Sequence, residues 1–115
     1  MIIKNIDIIT EDKNLLKNLF GYEPTISDKK SFDNISLEYK GLQNRGLGFN
    51  LNEIIISLSI SLVSGVASGI VANIIYAKLM QEGKNKMVIK EDRKIIVNKK
   101  DLIIYIEDSI TKEEK

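Results

Sequence analysis

Between Glu53 and Lys78 the chain runs for 24 residues without a charge, and half of those residues are Ile, Leu or Val. Such a segment must be buried in something, because exposed apolar surface forfeits about 25 cal/mol per Å². Its conformation therefore decides the rest of the fold, and three conformations compete. As a transmembrane helix over residues 54–77 it is long enough, since about 20 apolar residues span a bilayer. Gly65 and Gly69 form a G-x-x-x-G spacing that permits close helix contact in lipid. Its five serines and Asn73 count against insertion. As a soluble helix it gathers Ser57, Ser61, Ser64, Gly65, Ser68 and Ala72 on one side. Ile56, Ile60, Val63, Val66, Ile70 and Ile74 fall on the other. As a strand followed by a helix it shows strict alternation from Ile56 through Ser57, Leu58, Ser59, Ile60 and Ser61 to Leu62, a period of two. Ile, Ser and Gly are also poorer helix formers than Ala. The soluble helix, running on through Tyr76–Glu82 and closed by Gly83, is the preferred expectation; the other two readings stay open.

The flanking segments read more simply. Residues 2–9 are Ile-rich and β-branched, which predicts a strand. Thr10 is placed to cap a helix carrying Leu15, Leu16, Leu19 and Phe20, with Gly21 as its left-handed terminator. Alternation of Ile35, Leu37 and Tyr39 with Ser36, Glu38 and Lys40 predicts a strand near 33–40. Gly41, Gly46 and Gly48 mark a loop over 41–48. It has neither the Lys-Ser/Thr ending of a P-loop nor G-x-G-x-x-G, so it predicts no phosphate site. Met87–Ile89 and Ile95–Val97 form the arms of a hairpin turning at Glu91-Asp92-Arg93. Asp101 is placed to cap a last helix that buries Leu102, Ile103, Ile106 and Ile110. The order β-α-β-α-β-β-α predicts a single α+β domain over 1–110, with one small sheet, helices packed on one face and a long apolar central helix. Residues 111–115 read as a charged, frayed tail.

Function is bounded mainly by missing chemistry. The 115 residues include no Cys and no His. Thiolate nucleophiles, Cys-based metal sites and Ser–His–Asp or Cys–His mechanisms cannot be built from them. Asp28, Asp33, Glu38, Asp92, Asp101, Glu107 and Asp108 are scattered with no spacing that pairs two of them for acid–base work. The expectation is therefore no enzyme, no cofactor and no metal. From Lys78 to Lys100 there are eight basic residues against three acidic, and from Asp101 to Lys115 five acidic against two basic. A basic hairpin followed by an acidic tail suits mutual attraction or attraction to a partner. It lacks interleaved aromatics, so nucleic acid is not the expected partner. The opening Met1–Asp7 carries charges among its apolar positions and has no small-residue cleavage site, which makes a cytoplasmic location the expectation.

The small residues Ser61, Gly65, Ser68, Gly69 and Ala72 are the candidate partner-binding stripe, for self-association or for a docking helix. Around them, the order of features resembles the effector-associated constant component family of bacterial conflict systems. The resemblance is carried by Val63-Ser64-Gly65-Val66-Ala67-Ser68-Gly69, by Ile74–Leu79, by the Met87–Val97 hairpin and by the helix after Asp101, and it covers most of residues 1–110. The chain is richer in Ile, Lys and Asn than those proteins and lacks their Trp near the helix end. The resemblance implies a small α+β, non-enzymatic partner of variable effectors and brings no catalytic residues. The resulting expectation is a protein–protein interaction component, an accessory or adaptor of a bacterial defence or toxin system. The alternative is a membrane-associated protein, immunity or holin-like, spanning with residues 54–77.

Overall fold

The computed structural model describes residues 2–32, 35–43, 53–62 and 67–113. Its centre is one antiparallel sheet of six strands. These are β1 (Ile2–Thr10), β2 (Lys29–Phe32), β3 (Ile35–Gln43), β4 (Ile54–Leu62), β5 (Lys86–Ile89) and β6 (Lys94–Ile96). They lie side by side in the order β2-β3-β4-β1-β5-β6. Three helices, α1 (Leu15–Phe20), α2 (Ser68–Ile75) and α3 (Lys99–Glu113), complete an α+β fold.

The central uncharged run is not a long helix. Its first part is β4, which pairs along its whole length with β1, from Thr10 opposite Ile54 to Ile2 opposite Leu62. Its last part, from Ser68, is helical. The period of two prevails because it sorts the segment more completely than the helical period does. Ile54, Ile56, Leu58, Ile60 and Leu62 fall in line with Thr10, Ile8, Ile6, Lys4 and Ile2 on one side of the sheet, and Ser57, Ser59 and Ser61 fall on the other. Five branched or long aliphatics on one face suit a pleated strand packed under helices. No helix of the described residues is long and apolar enough to cross a membrane.

The aliphatic side of the sheet is the core. Ile6, Ile8, Ile35, Leu37, Ile56, Leu58, Met87, Ile89 and Ile96 are buried there together with Leu15 and Leu19 of α1, Val71 and Ile75 of α2, and Leu102, Tyr105 and Ile106 of α3. Phe20 of α1 meets Tyr39 of β3 edge-on, with ring centroids 6.4 Å apart. All three helices thus pack against one face, and no helix of the described residues covers the other.

Several ends differ from the sequence expectation for local reasons. Thr10 is the last residue of β1, and its Oγ1 accepts from the Asp12 N–H at 2.9 Å, so it closes a turn two residues on and does not cap a helix. Helix α1 starts at Leu15 and ends as expected at Gly21, which is left-handed at φ 81°. Strand β3 runs to Gln43 through a bulge at Gly41, whose φ of 118° suits only glycine. The rest of the expected loop at 41–48 lies outside the described residues. Strand β2, with the polar sequence Lys29-Lys30-Ser31-Phe32, was not anticipated; it exists through its pairing with β3. Helix α2 widens into a π-helical turn over Tyr76–Met80 and stops at Gln81, already left-handed, ahead of Gly83. The cap of α3 is Asn98: its Oδ1 accepts from the Asp101 N–H at 2.8 Å, while its Nδ2 donates to the Asp101 carboxylate at 3.0 Å. That reciprocal arrangement leaves Asp101 as the third helical residue. Residues 111–113, expected in a frayed tail, continue the helix.

Candidate partner-binding surface

The register places three polar rows across the face that no helix of the described residues covers, the helix-free face. Ser31, Ser36, Ser61 and Ile3 form one; Lys29, Glu38, Ser59 and Asn5 form the next; Gly41, Ser57, Asp7, Val88 and Ile95 form the third. The third row runs from a polar centre to an apolar end at the β6 edge.

Asp7 is the anchor of this face. It is 1% exposed. Its Oδ1 accepts from Ser57 Oγ at 2.8 Å and lies 3.4 Å from Lys90 Nζ. Lys90 stands between two depressions. The first, about 390 Å³, is lined by Asn5, Lys40, Ser57, Lys90 and Glu91. The second, about 350 Å³, is lined by Asp7, Val88, Lys90, Arg93 and Ile95. The two depressions share Lys90 and reach from Lys40 of β3 to Ile95 of β6; this pair of depressions is the trough.

Two carboxylates beside the trough have structural work. Glu38 accepts from Lys40 Nζ at 2.7 Å, and that hydrogen bond holds it below the usual carboxylate range despite opposing desolvation. Strand β5 ends before it reaches Asn5, and Glu91 takes its place. The Lys90 N–H donates to Asn5 O at 3.1 Å, and Glu91 Oε1 accepts the Asn5 N–H at 2.9 Å and its Nδ2 at 2.7 Å. Burial pushes Glu91 up, but those hydrogen bonds and the charge of Lys4 outweigh it, and its pKa lies below the ordinary 4.5. Among the other expected carboxylates, Asp28 holds the Thr25 N–H and Glu107 accepts from Ser68 Oγ. Asp33 lies outside the described residues. Among the described residues no three acidic side chains gather as a metal site.

The β5–β6 end is where apolar surface meets water. Ile95 is 63% exposed and Val97, one residue beyond the strand, 45%. Lys86, Lys90, Arg93, Lys94, Lys99 and Lys100 surround them, all exposed. Arg93 is left-handed at φ 51°, a conformation in which a non-glycine side chain costs about 1–2 kcal/mol. Local strain of this kind is often retained for function.

The five small residues of the sequence reading are dispersed. Ser61 lies on the helix-free face of β4; Ser68, Gly69 and Ala72 lie on α2, behind the sheet; Gly65 is outside the described residues. Ala72 is 0% exposed and so belongs to the core. Ser68 is tied to Glu107 at 3.2 Å. Gly69 has open space where a Cβ would stand, so nothing inside the described chain requires a glycine there. The surface that sequence reasoning missed is the trough. Its signal was the serine alternation, which marks a polar sheet face, together with two exposed aliphatics set among lysines.

Set against protein-family models, curated proteins and solved structures, the chain finds no match.

Proposed function

We propose that this chain is a non-enzymatic protein–protein interaction component that receives its partner on the helix-free face of the sheet. The observation that carries this reading is the third row of that face. It runs from buried Asp7 and Ser57, with exposed Lys90 beside them, to half-buried Val88 and exposed Ile95, and no helix of the described residues lies over it. Exposed Ile95 with polar and charged side chains around it fits an apolar patch inside a polar rim. The absence of His and Cys from the sequence supports a binding role, because the common nucleophilic and acid–base mechanisms lack their residues. The resemblance to the effector-associated constant components extends the proposal to an adaptor in a bacterial defence or toxin system.

The test compares capture by the wild-type chain and by an Ile3→Lys/Ile95→Lys double variant, read by quantitative mass spectrometry. Both positions are exposed on the helix-free face, so the fold should persist. The expected result is a near-stoichiometric protein held by the wild type and lost by the variant. Identical capture profiles would overturn the assignment of this face.

A further inference from the structure

We infer that the free edge of β6 takes an extended, acidic segment of the partner as a seventh strand; this rests on the protein-binding reading and names the chemistry of what binds. The first ground is the direction of the main chain. The Lys90 N–H to Asn5 O bond makes Asn5 and Lys90 a hydrogen-bonding pair across β1 and β5. Such pairs alternate along antiparallel strands. Asp7 opposite Val88 therefore repeats that pattern, and Met87 and Ile89 turn their main chain toward Ile96 and Lys94 of β6. Val88 and Ile95 are then the intervening pair, and the Ile95 N–H and C=O point out past the sheet edge. Val97, two residues on, points the same way.

The second ground is the side chains that accompany this edge. Ile95 is exposed on the helix-free face beside Val88, at the open end of the trough. An incoming strand would lay alternate apolar side chains beside Ile95 and Val97, the arrangement used in strand addition. Sheet edges left free in this way are ordinarily protected by charge or by being short.

The third ground is charge, and it selects the occupant. Arg93 and Lys94 come just before Ile95, Lys99 and Lys100 just after Val97, with Lys86 opening β5 and Lys90 just past its end, all exposed. Of the nearby carboxylates, Glu91 is held by Asn5 and Asp101 by Asn98, while Asp92 in the turn is exposed and offsets one of the cations. Pairing with a second copy would set one cationic edge against another. Lys90 is already paired with Asp7, but an acidic strand gains at the other cations and is steered to them at long range.

The experiment is fluorescence anisotropy with a dye-labelled peptide of sequence Glu-Val-Asp-Ile-Glu-Val-Asp, titrated with the full chain. A matched peptide with Lys at every acidic position is the control. Saturable binding of the acidic peptide, at least tenfold tighter than the control and weakened by salt, is expected. Ile95→Pro removes one outward N–H while leaving the residues that bond β5 in place. It should weaken binding at least tenfold with an unchanged circular dichroism spectrum. Lys94→Glu leaves the main chain intact and should weaken binding as well, which guards against a folding defect in the proline variant. Equal binding of both peptides, or wild-type affinity in Ile95→Pro, would sink the inference. So would a concentration-dependent dimer that Ile95→Pro dissolves, since the occupant would then be a second copy. A partner that is lost with Ile3→Lys/Ile95→Lys but kept by Ile95→Pro would leave the binding face standing and remove only strand addition.

Discussion

Ser57 donates its hydroxyl proton to the Asp7 carboxylate across the β1–β4 pair at 2.8 Å, and both side chains are buried on the helix-free face. A hydrogen bond to a carboxylate in such a place contributes about 1.5–3 kcal/mol. Ser57→Ala is therefore expected to lower stability by about that amount. Urea unfolding would register it as a lower midpoint at unchanged slope.

Two glycines should respond to alanine with opposite signs. Gly69 has room for a Cβ and an ordinary helical backbone, so Gly69→Ala should stabilise α2 by about 0.5–1 kcal/mol. Gly41 sits at φ 118° in the β3 bulge, and Gly41→Ala should cost at least about 1–2 kcal/mol. Thermal unfolding of the two variants should shift in opposite directions. Loss of partner affinity in Gly69→Leu with the fold retained would bring the small-residue site of α2 into the interface.

Acid should loosen the β5–β6 hairpin through Glu91. Its folded pKa lies below the ordinary 4.5, so its contribution is present above that value. The contribution is lost as pH falls through the depressed folded value, because the protonated acid no longer supports the Asn5 bonds equally. The protection factor of the Asn5 amide, its exchange relative to the intrinsic rate at each pH, should therefore fall on acidification in the wild type. Glu91→Gln should flatten that dependence.

Arg93 separates stability from binding. Arg93→Gly relieves a left-handed arginine, and after the added freedom of the unfolded glycine the net gain should be about 0.5–1 kcal/mol. The same change removes a cation from the trough and should weaken the acidic peptide. A variant that is more stable and binds as well as the wild type would leave the strain without a functional reason.

Much of the fold was legible where one periodicity stood alone. The Ile-rich β1, the β5–β6 hairpin and α3 each carry a single dominant pattern, and each was anticipated within a few residues. Residues 54–62 were misread because Ser57 and Ser61, continued by Ser64 and Ser68, satisfy a helical stripe as well as an alternating strand. Only the pairing of β4 with β1 and β3 separates the two. Strand β2 has no apolar signal of its own, since Lys29, Lys30 and Ser31 are exposed at the sheet edge. The binding surface was less legible than the fold. Ile95 and Val97 could be assigned to a hairpin arm, but periodicity does not say which arm is left at the rim. That depends on the strand order, which places β5 next to β1 and β6 outermost.

Strand β1 lies between partners that come much later in the chain: Ile6 is opposite Leu58 on one side and Ile89 on the other. Pairings so distant in sequence close slowly. The Ile-rich β1 precedes both of its neighbours in the chain, so one of its edges waits unmated for β4 and the other for β5. The β5–β6 hairpin, short-range and late, closes the second side of β1 and carries Arg93 and Lys94 with it, so the strand that mates β1 also brings the first cations of the basic rim to the sheet edge.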